Sequence, residues 1–186
     1  MTADVARQLF TIDDYHRMGE AGILSAEDRV ELLGGEVIRM SRIGSPHASC
    51  VDRLNALFSR RVGSRVIVRV QNPVILDRFS EPQPDLALLR PRADLYATQH
   101  PLPADILLAV EVLSSSDAYD RTLKLPLYAR AGVREVWLVD LERGVVETYQ
   151  HPSQRGYRER QEYRRGKRIA LSGAIRATVR VNEILG

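Results

Sequence analysis

The chain has 186 residues, 44% of them hydrophobic, and its 27 basic and 24 acidic side chains leave a formal charge of +3. That length suits one domain, residues 1–186, burying roughly 70% of its unfolded surface; the apolar fraction excludes a disordered tail, and 12 Gly, 9 Pro and the single Cys50 exclude a collagen or a disulfide scaffold. One cysteine, no basic-then-apolar leader and no apolar run of about 18 residues predict a soluble, cytoplasmic protein with no membrane partner.

In chain order, Thr11 and Asp14 make a capping-box pattern that predicts a helix over residues 12–19, and Ser25 suits the cap of a further short turn. Arg29 to Leu33 and Glu36 to Met40 flank Gly34-Gly35, two residues able to take positive φ, which predicts a two-residue hairpin. Ser45 as N-cap, Pro46 as first helical residue and the spacing of Val51, Leu54, Leu57 and Phe58 predict a long amphipathic helix to about Val62. Strands follow at 65–70 and 74–76, and Pro84 directs the chain into another over Asp85 to Leu89. Ile106 to Val112 reads as a central strand buried on both faces. Residues 117–131 then predict a helix ended by Gly132, and Val136 to Val139 the next strand. Strand, helix, strand is a βαβ crossover with a parallel pair, so the fold class is α/β. Beyond Asp140, residues 145–150 and 157–163 predict a polar hairpin at the edge of the fold. Residues 151–186 thereby extend a core covering about 11–150.

Two carboxylates stand out. Glu111 interrupts an apolar strand, and a buried carboxylate without a partner costs several kcal/mol, so it needs a cation, a metal or water at an open sheet end. Asp85 sits at the mouth of the neighbouring apolar strand. If the two strands are neighbours, both acids meet at one end of the sheet and offer what Mg²⁺ takes from protein, the rest of its shell being water and phosphate. Asp120, Lys124 and Tyr128 are spaced by four on the following helix, which lets Lys124 face Glu111. The spacing fits equally an exposed Asp120 to Lys124 pair worth about 0.3–0.5 kcal/mol, and a structural salt bridge is the plain alternative for Glu111. Lysine is rare here: 25 of the 27 basic residues are arginine, and Lys124 is one of two exceptions. A zinc site on His47 and Cys50 lacks further ligands, and neither a phosphate loop nor a nucleophile elbow surrounds Ser114 to Ser116.

Together, Pro84-Asp85, Glu111-Val-Leu113, Ser114-Ser-Ser116, Asp120, Lys124, Tyr128, Ala131-Gly132-Val133 and Glu135-Val-Trp-Leu-Val-Asp140 resemble the Uma-type restriction endonuclease family of the PD-(D/E)xK nuclease superfamily. The likeness reaches upstream through Glu31-Leu-Leu-Gly-Gly-Glu36 and His47. It implies a restriction-endonuclease-like core, a mixed β-sheet flanked by helices, with the C-terminal β-hairpin as an extension. It also implies Asp85 and Glu111 as ligands of Mg²⁺ or Mn²⁺, a lysine assisting attack on phosphate, and Glu36 and His47 as accessory residues. Leu113 occupies the place where the superfamily pattern has lysine, and the resemblance makes Lys124 its substitute from the adjacent helix, positioned by Asp120.

Residues 155–168 hold seven basic against two acidic side chains, a balance of +5 that leaves −2 for the rest of the chain. With Tyr157 and Tyr163 interleaved, Arg158, Arg160, Arg164 and Arg165 suit contact with a nucleic-acid backbone, and a solvated strand face suits them equally. The sequence therefore predicts a metal-dependent endonuclease acting on nucleic acid, DNA first, with a homodimer suited to cutting two strands. The rival is a nucleic-acid-binding or interaction module that keeps the core, with Leu113 marking lost catalysis.

Overall fold

In the computed structural model the described residues are 7–25, 27–113, 119–171, 175 and 177–186. Thr11 caps the first helix, α1 (Ile12–Glu20), through the reciprocal Thr11 and Asp14 bonds expected from their spacing. Strands β1 (Val30–Leu33) and β2 (Glu36–Arg39) then form an antiparallel hairpin. Its turn residues Gly34 and Gly35 have φ of 59° and 83°, the mirror-image turn that matches strand twist. Gly35 has a second reason to be glycine, because a Cβ there would stand 2.7 Å from Leu9 Cβ.

Helix α2 (Ser45–Val62) starts one residue earlier than expected: Gly44 takes the extended cap conformation, and Ser45 is already helical. It buries Cys50, Val51, Leu54, Phe58 and Val62, the apolar stripe of its 3.6-residue period. Residues 63–65 form a single 3₁₀ turn, so the next strand, β3 (Ile67–Val70), begins later than expected. Residues 74–76 are extended but form no strand. Their amides instead donate singly to the carbonyls of Pro82, Pro101 and Ser80, and the prolines at 73, 82, 84 and 101 withhold the N–H groups that a ladder needs.

The main sheet has the order β3-β4-β5-β6-β7-β8, where β4 is Leu86–Leu89, β5 Ile106–Leu113, β6 Glu135–Asp140, β7 Val145–Ser153 and β8 Gly156–Arg164. Among the described residues only β5 and β6 pair in parallel. The crossover between them runs through a wide π turn at Asp120–Lys124 and α3 (Leu125–Ala131), which Gly132 ends with φ 82°. The expected helix start at residues 117 and 118 lies outside the described residues, as do Ser114 to Ser116.

One face of the sheet is covered by α2, by the hairpin β9 (Arg168–Ala170) and β10 (Thr178–Arg180), and by α4 (Val181–Leu185). The other face packs against α3, residues 74–76 and Tyr96. With both faces covered, β5 is apolar along its length except at Glu111, which is why that residue needs an account of its own.

Candidate functional site

The pairing of Leu86 with Val110 carries Asp85 opposite Glu111, on the same face and at the carboxyl end of β5. Asp85 is fixed on both oxygens. Its Oδ2 accepts the Val112 amide at 2.8 Å, while Oδ1 accepts Gln71 Nε2 at 3.3 Å and lies 2.8 Å from His47 Nε2 at the start of α2. Glu111 is 1% exposed. Its Oε1 accepts the Tyr128 hydroxyl at 2.7 Å, and its Oε2 faces the Asp85 amide at 3.4 Å.

Lys124 reaches this pair from the π turn. Its Nζ lies 3.4 Å from Glu111 Oε1, 3.3 Å from Asp120 Oδ1 and 3.1 Å from Glu31 Oε2. Asp120 and Lys124 are both buried, so the exposed ion pair is ruled out, and the Tyr119 ring lies 5.4 Å from the ammonium. A turn widened by one residue is a common device where a helix must aim side chains at a site.

Four carboxylates (Glu31, Asp85, Glu111, Asp120) thus gather around one ammonium and one imidazole. Burial raises the Glu111 carboxyl well above its ordinary range; Lys124 opposes this, and Asp120, Asp85 and Glu31 add to it. Burial alone would lower Lys124, but Glu111, Glu31 and Asp120 outweigh it and hold the ammonium well above its ordinary value, hence protonated. Burial and the Glu111 bond likewise raise the Tyr128 hydroxyl.

The residues present fit a divalent ion. Glu31 Oε1 is buried with no hydrogen-bond partner among the described residues, a sign of surplus negative charge. Asp85 and Glu111 face a polar cavity of about 30 Å³, room for little more than an ion or a water or two. Among the described residues no group of three or more His, Cys, Asp or Glu side chains is placed to hold a metal ion, so the protein's share of a shell here would be the two carboxylates. Two carboxylates with the remaining positions left to water and phosphate is the usual manner of Mg²⁺.

Of the residues singled out in the sequence, the fold brings together Asp85, Glu111, Lys124, Asp120 and His47. It does not bring Glu36, which is exposed beside the turn and pairs with Arg7 at 2.7 Å. The acid of that hairpin inside the cluster is Glu31. The two share one face, since Leu33 pairs with Glu36 and Glu31 with Ile38, but Glu31 lies deeper along the strand. There it accepts the Gln83 amide at 2.9 Å, just before the Pro84 that leads into Asp85. An acid flanked by Val30 and Leu32 was the signal for it, the same signal that marks Glu111. Leu113, one pleat beyond Glu111, is packed in the core, and the amine beside Glu111 is that of Lys124 in the π turn. Cys50 faces the Ile184 carbonyl instead of His47, and burial pushes its thiol up to about 11.

The basic hairpin is the sheet edge, β8, three strands from β5, or about 14 Å at ordinary strand spacing. Much of its charge is spent internally. Arg160 and Arg143 lie 2.7 and 2.6 Å from Glu147, Arg121 joins them, and Arg164 pairs with Glu162 at 2.7 Å. Burial opposes ionisation of Glu147, but bonds from Arg121, Tyr149, Arg160 and Arg143 pull its carboxyl down to about 2. Arg165 donates to the Gly186 carbonyl, and Arg158 is exposed.

A family model, Uma2, described as "Putative restriction endonuclease", matches residues 12–182. Among solved structures, a protein of Anabaena variabilis described as a "putative nuclease belonging to DUF820" superposes with a TM-score of 0.73 over 95% of this chain and 97% of its own, at 13% identity. Likeness at that identity is likeness of fold. No curated protein sequence matches significantly.

Proposed function

The chain belongs to the Uma2 restriction endonuclease family, and from that premise we propose that it is a metal-dependent endonuclease hydrolysing phosphodiester bonds in DNA. One observation carries the reading: a buried ammonium held by three carboxylates beside a small polar cavity that Asp85 and Glu111 face from adjacent strands. A structural salt bridge has no need of so many acids for one base, since each buried charge adds its own desolvation cost.

Mg²⁺ or Mn²⁺ held by Asp85 and Glu111 supplies Lewis acidity and a water acidified towards neutral pH. The chain's own groups do the positioning. Lys124, kept protonated, stabilises the negative charge that grows on the phosphate in the transition state. Glu31 and Asp120 fix its Nζ, Tyr128 fixes Glu111, and His47 with the Val112 amide fixes Asp85. The active unit in this reading is the whole chain as one domain, cytoplasmic, working as a homodimer with one site for each strand.

The rival, a nucleic-acid-binding or interaction module without catalysis, is favoured by Leu113 at the usual lysine position. Calorimetric titration with Mn²⁺ separates the two, because a binding module has no use for the ion at Asp85 and Glu111. Incubation with plasmid and with labelled single- and double-stranded oligonucleotides, in Mg²⁺, Mn²⁺ or EDTA, tests the activity. Cleavage in the metal arms alone is expected; no cleavage in any arm overturns the assignment.

A further inference from the structure

The floor of the cavity is acidic, so cations at the mouth would help a polyanion to settle there. Lys124 stands at the floor, buried and engaged by three carboxylates, so it is not the cation at the mouth. Two other cations line the same cavity: Arg29, just before β1, and Arg42, just after β2.

We propose that Arg29 and Arg42 form a phosphate-gripping lip over the Asp85 and Glu111 cavity, and that this lip, more than the β7–β8 hairpin, seats the DNA backbone at the reacting site. The inference rests on the nuclease reading and adds to it the residues that hold the substrate. Three features of the chain support it. First, the lip is built. The Met40 amide donates to the Arg29 carbonyl at 2.7 Å, and Arg29 Nη1 donates to the Ser41 carbonyl at 2.9 Å, tying the strap that carries Arg42 across the hairpin mouth. Second, its donors are available. Arg29 spends one of its N–H groups on the strap, both arginines are exposed, and among the described residues Arg42 makes no ion pair. Third, the rival basic surface is compromised, since Arg160 and Arg164 pair with Glu147 and Glu162 and Arg165 with a backbone carbonyl. Arginine suits the task because its planar fork matches two phosphate oxygens at once.

Binding of a short labelled DNA duplex in EDTA, followed by anisotropy across a salt series, reads the lip without cleavage. Arg29→Ser with Arg42→Ser should make the slope of log K against log salt shallower by about 1.8, two contacts at about 0.9 each. Arg42→Ser alone should remove about half of that; because its side chain makes no hydrogen bond or ion pair among the described residues, this variant keeps the test valid if the double variant unfolds. Replacing Arg160 and Arg164 by Ser should change the slope less than Arg42→Ser does. In Mn²⁺, Arg42→Ser should raise KM several-fold with kcat nearly kept. An unchanged slope and KM in the lip variants, with the wild type binding and cutting, overturns the lip alone. A wild type that binds and never cuts, with the slope change present, leaves the lip standing and overturns the nuclease reading. A wild type that does not bind the duplex overturns both.

Discussion

In the proposed mechanism Lys124 is the residue on which the chemistry turns, and its surroundings say what a substitution will do. Arginine keeps the charge but is longer and planar, and a fully enclosed ammonium position has no room for a fork. Lys124→Arg should therefore lower kcat by about a hundred-fold while DNA affinity changes little, the mark of an interaction made mainly in the transition state. A near wild-type rate in single-turnover cleavage would make Lys124 a structural counter-ion. Glu111 gives a pH prediction. Its carboxyl is raised in the folded protein by burial and by neighbouring acids, so folding favours the protonated form. That contribution is complete below the ordinary value of 4.5 and is lost as pH rises through the higher folded value. Glu111→Gln should consequently be more stable than the wild type at neutral pH, by about 1 kcal/mol, with a flatter profile towards acid. Melting temperatures of both proteins across that range check the sign, and a less stable Gln variant at neutral pH would contradict it.

At the scale of elements, the β7–β8 hairpin is paired to β6 and braced further by the arginines around Glu147. The Glu147 carboxyl is held down to about 2, so its stabilisation is full above 4.5 and is lost as pH falls from there towards 2. Glu147→Gln should cost about 2 kcal/mol at neutral pH, in line with bonds to a charged group, and remove that acid dependence. Urea unfolding at neutral pH and near pH 3 measures both; equal costs at the two values would sink the argument. This network is also one that local sequence does not reveal. A count over 155–168 finds +5 because it omits Glu147, which lies one strand back and faces Arg160 only once the hairpin is paired. The same limit explains Glu31 and Glu36, two acids flanking one turn: face is readable from alternation, but depth along the strand depends on what lies over it. Local signals did carry α1, the Gly34-Gly35 turn, β5 and the parallel pair β5 and β6, because each is written within a few residues. Residues 74–76 failed as a strand because tertiary partners, not alternation, receive their amides.

Across the whole molecule the design is a sheet whose parallel step opens a site at the carboxyl end of β5, where open α/β sheets commonly bind ligands. Elements from both layers meet there: the α2 start brings His47, the crossover brings Lys124, and the β1–β2 hairpin brings Glu31. Acidic and basic residues line the same cavity, and in the proposed reading the acid floor takes the ion and the basic rim the phosphate. The most direct test of this account is single-turnover cleavage of a labelled DNA duplex by the wild type, Asp85→Asn and Glu111→Gln, each in Mn²⁺ and in EDTA. The account predicts cutting by the wild type in Mn²⁺ alone, and a loss of at least about a hundred-fold in both variants with the fold retained. Cutting that persists in EDTA, or in either variant at the wild-type rate, would contradict it.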